Sequence, residues 1–162
     1  MCKTYVPAWI FVLLVLLVPM AGYGAVGISI TAGGAWTLNL NVTNLSGGGG
    51  SDFTMPQQSP TNQVTLRITG AAGLAWHVVV DKTDTTWDSS LHLWVKRTAN
   101  GTGTGTITGG TTYLEVTGAA QTFFSGTLNR QLITIQLQFT GASVTLGANS
   151  FVTTVRYTVS SP

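Results

Sequence analysis

The most regular alternation in the chain runs from Gln131 to Val159. Ile133, Ile135, Leu137 and Phe139 alternate with Thr134, Gln136, Gln138 and Thr140, the period of two that a strand shows when one sheet face is buried and the other is wet. A second run sets Phe151, Thr153, Val155, Tyr157 and Val159 against Val152, Thr154, Arg156 and Thr158. Between them Ser143–Leu146 predicts a short strand, bounded by the turn formers Gly141 and Gly147-Ala-Asn149. The stretch is expected to supply a central sheet with an open edge near the final strand, where one more strand is needed.

The same period recurs upstream. Val26, Ile28 and Ile30 share one face; after Ala32-Gly-Gly34, Trp36, Leu38, Leu40 and Val42 share another. Residues 46–62 open with Ser-Gly-Gly-Gly-Gly-Ser and carry Pro56 and Pro60, which predicts a flexible connection between sheets. Strand signals resume with Val64, Leu66 and Ile68, then with Trp76, Val78 and Val80, and after a polar loop over 82–90 with Leu91, Leu93 and Val95. Asn100–Thr106 is a Gly-Thr repeat expected to form a mobile hairpin tip or an edge ladder of threonines. Thr111–Thr117 and Gln121–Gly126 complete the set. Short strands at this spacing in one domain predict an all-β fold: a single immunoglobulin-like or jelly-roll-like antiparallel β-sandwich.

The first residues break the pattern. Ile10–Val18 is apolar without alternation, follows Lys3, and ends at Pro19, with small residues at Gly22 and Gly24. This order describes a secretory signal peptide over residues 1–24, cleaved after Gly24, leaving a β-sandwich domain at 25–162. A retained membrane anchor is the rival reading, but a spanning helix needs about 20 apolar residues. The sole cysteine, Cys2, lies in the leader, so the mature domain is expected to hold together without disulfides or cysteine-bound zinc.

Charge narrows the function classes. Only 7% of residues are charged, with 7 basic against 5 acidic side chains, so the basic stripe that nucleic acid requires is missing. Catalysis is not expected either. His77 and His92 are the two histidines and Glu115 the one glutamate; no nucleophile elbow accompanies them, and no spacing pairs Glu115 with an aspartate for glycoside hydrolysis.

Three weaker signals concern ligands. Asp81, Asp84 and Asp88 put three carboxylates into eight residues, a possible calcium loop that matches no EF-hand and contains Lys82; no other cofactor is expected. Trp94, flanked by His92 and Lys96 on the face opposite Leu93, and Trp87 in the adjoining loop could stack on a sugar ring or a protein partner. Asn41, Asn44 and Asn100 each open an N-glycosylation triplet.

The strand that would begin the mature chain, Ala25–Thr31 with Val26, Ile28 and Ile30, is short, uncharged and alternating. Such a segment can complete its own sheet or be donated to a neighbour's groove. Together with the last strand, where Phe151, Val155, Tyr157 and Val159 share a face and Tyr157 stands near the end, it resembles the secreted pilin-like and spore-coat-like β-sandwich subunits. Ser160-Ser-Pro162 extends past the terminal strand, and the pilin cysteine pair is missing. The resemblance implies a secreted or cell-surface structural protein, self-assembling into a fibre, pilus or coat with a role in adhesion. The alternative is an extracellular glycan- or protein-binding module built on Trp87, Trp94 and His92.

Overall fold

A computed structural model describes residues 9–17, 26–47, 49–71 and 73–161. The chain is an all-β sandwich. Its strands are β1 (Trp9–Leu17), β2 (Gly27–Gly33), β3 (Trp36–Leu40), β4 (Gln57–Gln58), β5 (Val64–Thr69), β6 (Ala75–Thr86), β7 (His92–Arg97), β8 (Ile107–Gly109), β9 (Leu114–Glu115), β10 (Gln121–Thr127), β11 (Arg130–Thr140) and β12 (Ser150–Ser160). One sheet, A, runs β3-β1-β12-β6-β10-β8; the other, B, runs β2-β5-β11-β7-β9, with β4 added on β11. Pairing is antiparallel throughout except between β1 and β12, which run parallel.

The alternations become the two inner faces. Val64, Leu66, Ile68, Val95, Ile133, Ile135 and Leu137 of sheet B meet Trp76, Val78, Val80, Val155, Tyr157 and Val159 of sheet A in one buried core. A second apolar cluster closes one end of the sandwich, where Leu40, Phe53, Leu91, Phe139, Ala142 and Phe151 meet. In β10 the adjacent Phe123 and Phe124 are both buried, which strict alternation forbids. A bulge between Thr122 and Phe124 supplies the extra residue that turns both inward.

Several expectations are corrected. β11 and β12 lie in opposite sheets, so Gln131–Val159 does not build one central sheet: alternation records which residues are buried, not which layer they bury from. Ser143–Leu146 forms no strand; Val144–Leu146 is a 3-10 turn whose first turn is capped by the Ser143 hydroxyl accepting from Thr145 N. β6 continues to Thr86, shortening the polar loop, and within Thr111–Thr117 the strand is confined to Leu114–Glu115, with Val116 N and the Thr117 carbonyl bonded to the backbone of Leu93 and Lys82.

The Gly-Thr repeat is pinned rather than a free tip. Thr102 bridges to Gln131, Arg130 donates to the Gly103 carbonyl at 2.6 Å, and the buried Arg97 donates to the Asn100 side-chain carbonyl. Its glycines alternate for a steric reason. A Cβ at Gly101, Gly103 or Gly105 would sit 2.1, 2.4 or 1.8 Å from the backbone oxygen of Gln131, Asn129 or Thr127.

The 46–62 connection is likewise tied down at points. Leu45 bridges to Phe53, and the Asp52 carboxylate accepts from Phe53 N and from Val144 N at 3.0 Å. Ser59 accepts from Leu137 N through its hydroxyl and from Gln136 through its carbonyl.

Candidate functional site

Two places in the fold carry more than packing. The first is the position of β1 in sheet A. Its backbone pairs with β12 from Ile10 beside Ser150 to Leu17 beside Tyr157, and with β3 from Trp9 beside Leu40 to Leu13 beside Trp36. The flanking strands alternate: Phe151, Thr153, Val155, Tyr157 and Val159 of β12 are buried while Arg156 is exposed, and β3 alternates half-buried Trp36 and Leu38 with exposed Thr37 and Asn39. The strand between them reads WIFVLLVLL, with no alternation at all. A strand written for a half-wet sheet would show one. Residues 1–8 and 18–25, and with them the expected cleavage point after Gly24, lie outside the described residues.

The expected N-terminal strand sits elsewhere. Val26, Ile28 and Ile30 belong to or adjoin β2, which pairs with β5 of its own chain at the edge of sheet B. Val26 and Ile28 are buried and Ile30 packs against the same core. Between the end of β3 and the start of β12 lies an apolar cavity of about 360 Å³, lined by Val42, Leu45, Phe53, Val144 and Ala148 among others.

The second place is the outer face of sheet B around Trp94. Four strands meet there in register: Gln58 of β4 lies beside Gln138 of β11, Gln138 beside Trp94 of β7, and Trp94 beside Glu115 of β9. Residues paired across strands share a face, so these side chains form one row across the strands. Gln58 donates an amide hydrogen bond to Gln138 at 3.0 Å. The Trp94 indole N–H donates to the Thr140 hydroxyl at 3.2 Å, and Glu115 Oε1 lies 2.5 Å from His92 Nδ1. Trp36, Trp76 and Trp87 all pack on the buried clusters; Trp94 belongs to neither.

Sequence reading missed Glu115 as the partner of His92 because the two lie 23 residues apart and no motif links them. Beyond that pair a cleft of about 340 Å³ opens, lined by Lys82, Asp84, Trp87, Leu91, His92 and Glu115 among others. Trp87 forms a wall of this cleft rather than an exposed platform. Its N–H donates to the Leu91 carbonyl at 2.8 Å, its ring meets Phe139 edge-on, and the Lys82 ammonium lies 5.1 Å from its centre.

The three aspartates are not brought together. Asp81 is buried and receives a two-pronged bond from Arg156, whose pKa that carboxylate raises. Asp84 accepts from Lys82 and from the Thr153 hydroxyl. Asp88 accepts from Ser90 N and Oγ, which hold its carboxyl below the usual range. Among the described residues no group of three His, Cys, Asp or Glu could hold a metal ion, and no helix is long and apolar enough to cross a membrane.

His77 donates to or accepts from the Ser160 hydroxyl at 2.8 Å, and its strand lies in sheet A whereas that of His92 lies in sheet B. No family model matches the chain, and no curated protein matches it.

Proposed function

We propose that the chain is a secreted or cell-surface structural β-sandwich, a subunit of a fibre or coat that assembles by β-strand addition and not by catalysis. One observation carries this: the strand between β3 and β12 is the apolar run that reads as a secretory leader. Removal of residues 1–24 would leave two facing strand edges with unpaired backbone groups, and a strand from a neighbouring copy would satisfy both. The donor with suitable alternation is Ala25–Thr31, which would exchange its place beside β5 of its own chain for the vacated place in a neighbour, and near-neutral charge opposes association only weakly.

Export of the full chain tests the reading, with the N-terminus sequenced, the size measured in solution and the product imaged for filaments. Expected is a protein that begins at Ala25 and forms filaments. Deletion of Ala25–Thr31, which also takes the buried Val26 and Ile28 out of the core, is then expected to abolish the filaments. A processed protein that remains a folded monomer overturns assembly by strand addition; a deletion variant that still assembles overturns donation by this segment.

A further inference from the structure

From the row Gln58–Gln138–Trp94–Glu115 we infer a binding site for a neutral, linear oligosaccharide laid across the strands of sheet B. The inference is independent of strand addition, whose acceptor edges lie in the opposite sheet and whose donor strand β2 is not part of the row. Four strands at the usual spacing make the row about 14 Å long, the scale of a short glycan rather than of a single small molecule.

Each member supplies a group that sugars use. The Trp94 indole lies outside both apolar clusters, and its N–H bond to Thr140 fixes the ring. A flat aromatic face of this kind takes the C–H face of a pyranose. Gln138 and Gln58 spend one donor and one acceptor on each other and keep the rest of their amide capacity for hydroxyls. Glu115 and His92 close the other end, and the cleft beyond them, lined by Asp84, Lys82 and Thr117, offers further polar groups to a branch or to the next residue of the glycan.

Charge selects the class of ligand. Glu115 is matched by His92 and Asp84 by Lys82; Lys96 lies 4.5 Å from the centre of the Tyr113 ring, and the exposed Arg67 stands on the same outer face, two strands away on β5. A charged polymer lying on the row itself would have to compete with the pairs at its Glu115 end. An apolar protein surface would bury the amides and carboxylates without partners, at a desolvation cost. A neutral polyhydroxyl chain bonds to them and leaves the pairs intact.

The test is affinity electrophoresis of the purified protein in native gels containing soluble β-glucan, xylan or galactomannan, with alginate as the anionic contrast and pull-down on cellulose and chitin for insoluble glycans. Expected is retention by at least one neutral polysaccharide, weakened about ten-fold or more in Trp94→Ala with an unchanged circular dichroism spectrum. The double variant Gln58→Ala with Gln138→Ala changes only outward side chains and is expected to weaken retention too; it decides the matter should Trp94→Ala misfold. Absence of retention by every neutral polysaccharide, retention by alginate alone, or undiminished retention of a folded Trp94→Ala variant would each overturn the inference.

Discussion

Tyr157 presents a test of the core that can be worked through in numbers. Its ring is fully buried in β12 beside Phe123, and among the described residues its hydroxyl has no hydrogen-bond partner. A buried polar group left unpaired costs about 1–3 kcal/mol, so Tyr157→Phe removes a penalty rather than a bond. Part of the gain is returned, because the lost oxygen takes its dispersion contacts with it. The net expectation is a stabilisation of about 1 kcal/mol, or a rise in Tm of about 3 °C for a domain of this size.

A second arm comes from titration. Burial raises the Tyr157 phenol above its ordinary value near 10. Below pH about 10 both folded and unfolded states keep the proton, and the residue adds no pH dependence. Above it the unfolded chain loses the proton while the folded chain holds it, so stability falls as pH rises. The Phe variant should therefore show a shallower alkaline limb. Urea denaturation at pH 7, 10 and 11 measures both effects. A variant less stable than the parent by about 1 kcal/mol at pH 7 would refute the reasoning, since it would mean that the hydroxyl is bonded.

Two further outcomes follow from local geometry. In Gly126→Ala the new Cβ would lie 2.4 and 2.5 Å from the Trp76 ring and 2.6 Å from the Thr106 carbonyl; a loss of about 1–3 kcal/mol is expected from the denaturation midpoint, and no change would mean that the ring moves freely. Asp52, held below the ordinary carboxylate value of 3.8 first by the Phe53 N–H and also by Val144 N–H and Ser143, favours the folded state above that value and loses this contribution as pH falls through its depressed one. Asp52→Ala should lower Tm at pH 7 and flatten the acid limb of a Tm-against-pH curve, whereas an unchanged limb would show that another carboxylate governs it.

The alternation of β5, β7, β11 and β12 was legible in the sequence because each strand has one wet face and one buried face. What pattern could not carry was partnership. Nothing in Gln131–Val159 distinguishes two adjacent strands from two strands facing each other across a core. The β6 extension to Thr86 was hidden because Lys82 and Asp84 read as loop residues, yet the two are matched by one another.

The candidate binding face was legible in part. Trp94 and His92 stood out as large side chains on a polar face, but Gln58, Gln138 and Glu115 join them only through strand register, and a two-residue strand such as β4 or β9 leaves almost no periodic signal. For β1 the uniform apolar run reads as an export signal, and nothing in it announces a place between two alternating strands.

The place of β12 also sets the order in which the molecule can be finished. The strands beside it are β1 and β6, both made before it; Arg156 and its partner Asp81 alone are 75 residues apart. Such distant pairings form slowly, because the chain entropy of closure is lost before they are gained. Sheet A therefore cannot close on a nascent chain until β12 has been synthesised, and until then β1 and β6 have no strand between them.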